Sequence, residues 1–281
     1  MGEITICKTS NALEYLPQID RNEADSDFMH AVSENDEDIY SILHQEATVG
    51  LALLEGDSYA FLYIYIFPIY RRRGFGKAAA LLLEQKLCTY NPVEISTCYR
   101  IDDSVAHAFA KGFGYIKEFS SDYMTYSGPG FELETVPVRP YQDQDYLEAH
   151  SLSAEAFHLM RLSTGCFPDS VPESPSEEAR KYWADTAEQR LVYMSGEEIA
   201  GCAHVQGSEI SSISVKPDCQ GKGMGKAFLK YIVNMLINTG CTSISLYCVV
   251  GNDRARHLYD ELGFIRVYRN EYAKKKIRVE A

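Results

Sequence analysis

The sequence predicts a duplicated α/β fold, two domains in tandem, each with helices packed on a sheet. Three observations lead there. The chain has 281 residues, long for one core and comfortable for two of about 130 to 150 residues each. A stretch of about fifty residues matches a later stretch without a gap at one constant shift, so that Pro68 meets Pro217, 149 positions on. The order of elements is also the same in both halves.

That order begins with two short apolar strands, Thr48 to Leu54 and Glu198 to Val205, ended by Gly56 and Gly207. A second strand follows at Tyr59 to Phe67 and at Ile210 to Val215. A glycine-rich turn then opens a helix. In the second half that helix places Met224, Phe228, Tyr231, Ile232 and Met235 on one face. Next come a strand (Val93 to Tyr99; Ser243 to Val250), a short helix (Asp103 to Lys111; Asp253 to Glu261) and a last strand. The shift holds through the turn, where Gly74 meets Gly223, Gly76 meets Gly225 and Lys77 meets Lys226, and through the short helix, where Asp103 meets Asn252, Gly114 meets Gly263 and Tyr115 meets Phe264. Ser127, Gly128, Pro129 and Gly130 punctuate the middle, so the expected domains are 1–127 and 131–281, with Glu134 to Tyr141 beginning the second.

Composition narrows the function classes. With 46% hydrophobic and 24% charged residues each half can bury a core. A net charge of -13 argues against a nucleic-acid partner, which needs a clustered basic surface. The basic cluster Lys274 to Lys276 with Arg278 reads as a solvated tail. The apolar run Tyr59 to Tyr70 is interrupted by Pro68 and falls short of the roughly 20 residues that span a bilayer, so no membrane partner is expected. Eight cysteines without a Cys-x-x-Cys pair or nearby histidines at zinc-ligand spacing point to no metal and to reduced thiols in a cytoplasmic protein.

Gln220-Gly221-Lys222-Gly223-Met224-Gly225-Lys226 puts small residues where a strand ends and a helix begins. The first helical amides lack intrahelical acceptors and the helix dipole adds positive charge, so this turn suits a pyrophosphate. Lys222 and Lys226 add charge at its rim. A P-loop would need four residues between its glycines and Ser or Thr after the lysine, where Ala227 stands. A Rossmann fingerprint would need Gly-x-Gly-x-x-Gly at a first strand.

Gln220-Gly-Lys-Gly223-Met-Gly225 resembles the acyl-CoA-binding motif Gln/Arg-x-x-Gly-x-Gly/Ala of the GNAT superfamily, and Arg71-Arg-Arg-Gly74-Phe-Gly76 resembles it too. Asn252-Asp-Arg-Ala255-Arg-His-Leu-Tyr259-Asp-Glu-Leu-Gly263-Phe264 resembles the family's Asn-x-x-Ala-x-x-x-Tyr-x-x-x-Gly-Phe segment. The resemblance implies two tandem GNAT-like domains, each a mixed, mostly antiparallel sheet flanked by helices, with acetyl-CoA as acyl donor and a primary amine of a small molecule or peptide as acceptor. It implies direct attack on the thioester in a ternary complex. Backbone amides of Ile213, Ser214 and Val215 would polarise the thioester carbonyl, and Asn252 would contact the pantetheine arm or a water beside it. Arg254 and Arg256 would reach the CoA phosphates.

Tyr259 occupies the position of the family's general acid; a phenol with a pKa of about 10 stays protonated at neutral pH and can donate to a thiolate. Glu209 begins the strand leading into the turn, where some members carry a general base; a water network is the alternative. At the same shift the first half has Ala110 and Ala60, which makes it a degenerate, catalytically silent copy. The acceptor region, about Asp145 to Glu188, contains a capping box, Ser174-Pro-Ser-Glu177, and aromatic residues including Trp183 and Tyr182, but no specificity code. The competing reading is a non-catalytic acyl-CoA-binding or sensing module. Exposed sheet edges also admit pairing of two copies as a homodimer.

Overall fold

The computed structural model describes residues 3–56, 58–132 and 135–277. Glu134, Arg278 and the outer ends of the two expected domains lie outside them. In chain order the elements are β1 (Ile4–Lys8), α1 (Ser26–Ser33), β2 (Ile39–His44), β3 (Ala47–Glu55), β4 (Tyr59–Ile66), α2 (Phe75–Cys88), β5 (Glu94–Arg100), α3 (Ser104–Gly112) and β6 (Ile116–Tyr126). There follow β7 (Val138–Pro140), α4 (Tyr146–Thr164), α5 (Glu177–Asp185), β8 (Arg190–Ser195), β9 (Glu198–Gln206), β10 (Glu209–Val215), α6 (Met224–Asn238), β11 (Ile244–Val249), α7 (Asp253–Glu261) and β12 (Ile265–Lys276).

The chain folds into two compact units, and these are not contiguous halves. Unit 1 comprises residues 1–118 and 270–281; unit 2 comprises 119–269. In unit 1 the strands run β1-β2-β3-β4-β5, and the outer edge of β5 is completed by residues 270–276 of β12, paired antiparallel from Asn270↔Arg100 to Lys276↔Glu94. In unit 2 the order is β6-β11-β10-β9-β8-β7, with β6 pairing β11 antiparallel from Ile244↔Tyr126 to Val249↔Ser121. Each unit therefore takes one edge strand from the other half of the sequence. The expected break at 127 to 131 falls just after β6, which belongs with unit 2 because Met124 and Tyr126 are buried in its core.

Each sheet is mostly antiparallel with one parallel pair, β4–β5 in unit 1 and β10–β11 in unit 2. In unit 1 one face buries Phe75, Ala79, Leu83 and Leu87 of α2. The other face buries Phe28, Ala31 and Val32 of α1. In unit 2 the matching faces bury Phe228, Leu229, Ile232, Val233 and Leu236 of α6, and Tyr146, Ala149 and Leu152 of α4 with Trp183 of α5 packed alongside. The one-sided pattern of the α6 segment thus reflects its burial against the sheet.

Helix α5 starts later than its sequence suggests. The N-cap is Ser176, whose Oγ accepts from the Ala179 amide at 3.0 Å, so Ser174 and Pro175 lie before the helix. Either serine has the chemistry of a cap; Ser176 is the one whose hydroxyl lies three residues ahead of a free helical amide.

Candidate active site

In unit 2, β10 pairs with β11 only at Glu209↔Ser245 and Ile210↔Leu246. Beyond Ile210 the two parallel strands part. Residues 212–215 of β10 remain paired to β9 on the other side, through Ser212↔His204, Ile213↔Ala203, Ser214↔Cys202 and Val215↔Gly201. A register shift between Ile210 and Ser212 marks a bulge at Ser211, and a bulge of this kind turns a strand away from its neighbour. The edge of β10 that faces β11 therefore presents backbone groups with no ladder partner from Ile213 to Val215.

The glycine turn caps this opening. Gly221 (φ 75) and Gly223 (φ 84) are left-handed, a conformation that costs any residue with a Cβ, and Gly223 is the N-cap of α6. No heavy atom lies within 4 Å of a Cβ built on Gly223, and one on Gly225 would meet Val215 at 3.7 Å and Leu258 at 4.0 Å, an ordinary contact. Protein packing therefore does not demand glycine at either position. What glycine provides is bare backbone at the start of a helix, with the amides of Met224, Gly225 and Lys226 among those lacking an intrahelical acceptor.

Gln220 has a structural task that its sequence position did not reveal: its Nε2 donates to the Val215 carbonyl at 2.8 Å, tying the turn to the end of β10. Its Oε1 accepts from Arg254 Nη1 at 2.5 Å, which brings a guanidinium to the turn. Arg256 is directed elsewhere. It pairs with Asp260 (2.9 Å) and with buried Asp122 of β6 (2.6 Å), and Asp122 also accepts from Arg269. The cation beside the turn is thus Arg254, and Arg256 ties α7 to β6. Lys226 pairs with Glu261 of α7, whereas Lys222 is exposed and has no ion pair among the described residues. Asn252 caps α7, its Oδ1 accepting from Ala255 N at 3.3 Å.

Tyr259 is the buried residue of α7, 7% exposed and packed on Phe264. Its hydroxyl makes no hydrogen bond with the described residues, and burial pushes its pKa well above the ordinary tyrosine value. Nearby Cys248 is pushed up to about 11, also by burial, so both groups are protonated at neutral pH. Glu209 lies at the closed end of the opening, where β10 and β11 still pair, and is half-buried. Ser214 faces the other side of the sheet from Ile213; it is buried, with Oγ 3.4 Å from Ser153 Oγ of α4.

Unit 1 repeats this arrangement. β4 and β5 pair from Tyr59↔Glu94 to Phe61↔Ser96 and then part. Gly74 caps α2 at φ 83, and Arg71 Nε donates to the Ile66 carbonyl at 2.9 Å, the bond that Gln220 makes in unit 2. Arg72, at φ 63, takes the left-handed position of Gly221. A cavity of about 670 Å³ opens here, lined by Ile64, Arg72, Gly74, Lys77, Tyr99 and Ala110 among others. Ala110 takes the place of Tyr259: Tyr115 N bonds to its carbonyl as Phe264 N does to that of Tyr259. The counterpart of Glu209 is Phe61 instead of Ala60, because Phe61 lies opposite Glu55 and Ser96 as Glu209 lies opposite Gln206 and Ser245. The extra residue in the β10 bulge moves the match by one. Neither Ala60 nor Phe61 can carry a proton.

Among the described residues no group of three or more His, Cys, Asp or Glu side chains is placed to hold a metal, all eight cysteines are free, and no helix is long and apolar enough to cross a membrane.

The sequence model of the acetyltransferase (GNAT) family matches residues 156–264. The chain is 24% identical over 229 residues to a mycothiol acetyltransferase of Gordonia bronchialis, covering 75% of this chain and 72% of that protein. Its structure is similar to a GCN5-related N-acetyltransferase from Sphaerobacter thermophilus, at TM-score 0.73 and 15% identity over 99% of this chain and 97% of that one. It is also similar to a tandem GNAT protein from the clavulanic acid biosynthesis pathway, at TM-score 0.66 and 12% identity over 99% and 100% of the two chains. Residues 156–264 thus carry the pattern of a GNAT acetyltransferase domain, and the chain as a whole has a fold that it shares with tandem GNAT proteins.

Proposed function

We propose that unit 2 transfers the acetyl group of acetyl-CoA to a primary amine of a small molecule or peptide, by direct attack with both substrates bound. The observation that carries this reading is the parting of β10 from β11 beside the glycine turn and Tyr259. Backbone amides between Ile213 and Val215 would donate to the thioester oxygen as negative charge gathers there, in a site where little water competes. The bare amides at the start of α6, with Arg254 and Lys222, would hold the pyrophosphate. Tyr259 would give its proton to the departing sulfur. A phenol held well above the ordinary tyrosine pKa and a thiol of about 8 to 9 make that donation uphill for a free thiolate, so the proton is best passed while the carbon–sulfur bond is breaking. Glu209, at the closed end of the opening, would accept the amine proton through water, since side chains four residues apart on a strand are separated by about 13 Å.

A second reading applies to unit 1, and the cavity of about 670 Å³ at its own glycine turn favours it: this copy would bind acyl-CoA without transferring the acyl group. Acetyl-CoA incubated with the full chain and a panel of primary amines, read by release of free thiol, tests the main proposal. Acetylation of one or more amines is the expected result. Tight acetyl-CoA binding with no acceptor consumed across the panel would leave a binding module in its place.

A further inference from the structure

On the face of unit 2 that carries α4 and α5 lies a cation that the transfer reaction leaves unused. Arg190, the first residue of β8, is only 6% exposed. Its guanidinium lies 4.1 Å from the ring centroid of Trp183 and 5.3 Å from that of Tyr182, both on α5. Its Nε donates to Thr186 Oγ1 at 2.9 Å. The two terminal nitrogens donate to no described residue, and no described carboxylate lies within ion-pair distance. Burying a cation without a counter-charge is costly, and arginine differs from lysine in offering a rigid fork that fits a carboxylate with two parallel bonds.

The register ties this cation to the candidate active site. Arg190 is paired with His204 of β9, and His204 with Ser212 of β10, so the three side chains stand on one face of the sheet. Two strand spacings separate Arg190 from Ser212, about 10 Å. Ser212 belongs to the part of β10 that has left β11. His204 adds no second charge near neutral pH: burial and the neighbouring Arg190 hold its pKa down to about 4, and its Nε2 donates to Gln189 Oε1 at 2.9 Å.

We propose that Arg190, backed by Trp183 and Tyr182, is a specificity subsite that binds a carboxylate of the acceptor, so that the preferred substrates are amines carrying a carboxylate several bonds from the nitrogen. The proposal rests on the reading of unit 2 as the amine-acetylating unit only for the identity of the ligand; the binding itself can be measured without turnover. Trp183 is the one tryptophan in the chain and lies against the guanidinium, so its fluorescence reports on this subsite.

The full-length protein is titrated with 6-aminohexanoate and, separately, with 6-aminohexanamide, which has the same length and no charge. A saturable change in Trp183 emission is expected with the acid, at an affinity at least about tenfold higher than with the amide. Arg190→Met should abolish that preference, and Arg190→Lys should retain part of it, with melting curves checking that each variant is folded. In turnover with acetyl-CoA, Arg190→Met should raise KM for the acid and leave kcat and the amide's kinetics nearly unchanged, which a purely structural role would not do. Equal responses to acid and amide in the wild-type protein overturn the proposal. So does an undiminished acid response in folded Arg190→Met, and should that variant not fold, the wild-type pair together with Arg190→Lys decides. Failure of acetyl transfer with an intact acid-selective fluorescence response would instead count against the transferase reading alone.

Discussion

Gly74 and Gly223 stand at the same place in two copies of one architecture, with φ of 83 and 84, and the strand ends beside them are tied by equivalent bonds from Arg71 and Gln220. The openings beyond them differ. In unit 2 the buried ring of Tyr259 packs on Phe264, whereas its counterpart in unit 1, Ala110, lines a cavity of about 670 Å³. Backbone geometry that suits a pyrophosphate and side chains that suit proton transfer are thus separable: one copy keeps the first and lacks the second. A well-formed cleft is consequently a poor guide to which copy does the chemistry.

Four experiments press on this contrast. The largest effect should come from Tyr259→Phe, which is expected to lower kcat by roughly 10² to 10⁴ while acetyl-CoA binding is kept. If the enzyme retained most of its turnover and lost it only when Gly74 and Gly76 were changed, unit 1 would be the active copy. Gly225→Val comes next. A branched side chain there should weaken acetyl-CoA binding at unit 2 by roughly 10- to 100-fold, or about 1.4 to 2.8 kcal/mol, as calorimetry would read it. Gly76→Val should remove a second binding event if unit 1 holds the same ligand, and a stoichiometry of one in the wild-type chain would deny unit 1 that role.

The third contrast is in acid sensitivity. His204 has Leu53 as its counterpart in unit 1, each lying one residue pair along from the parallel start of the opening. The folded-state pKa of His204 is lowered from 6.5 to about 4, so the unfolded chain binds the proton first as pH falls. Stability supported by neutral His204 is therefore present above about pH 6.5 and lost as pH falls towards 4. His204→Leu should flatten that limb of the urea midpoint against pH; an unchanged slope would show that other groups set it. The smallest effect concerns the turn itself. Gly221→Ala should cost about 1 kcal/mol, because a Cβ is disfavoured at positive φ, and Arg72→Gly in unit 1 should recover a similar amount less the entropy cost of glycine. Equal urea midpoints for Gly221→Ala and the parent would mean the left-handed turn is not retained in solution.

Much of this is legible in the sequence. The constant shift of 149 residues paired Gly74 with Gly223 and Ala110 with Tyr259, and the structure holds both pairs in matching backbone settings. Local signals of that kind survive because a turn or a cap is made by residues close in the chain. What depends on side-chain direction was not readable. Arg254 and Arg256 are two apart on one short helix, and only the fold sends the first to Gln220 and the second to Asp122, which lies 134 positions away in sequence. The bulge at Ser211, which moves the match of Glu209 from Ala60 to Phe61, has no composition of its own and appears only in the strand register. Arg190 belongs to no motif in the sequence, and its burial against Trp183 comes from the packing of α5.

The punctuation at Ser127 to Gly130 marks where the chain turns, and it carries no information about which sheet the preceding strand, β6, joins. That strand exchange bears on how the protein is made. On the ribosome the first 118 residues emerge at about 5 to 20 residues per second, with β5 lacking its outer neighbour until residues 270–276 arrive. For that interval an unpaired strand edge faces solvent, where it can recruit a foreign strand or a chaperone. Unit 1 is therefore finished after unit 2, although it is begun first, and a ribosome stalled near residue 260 would release a chain with its early half still open.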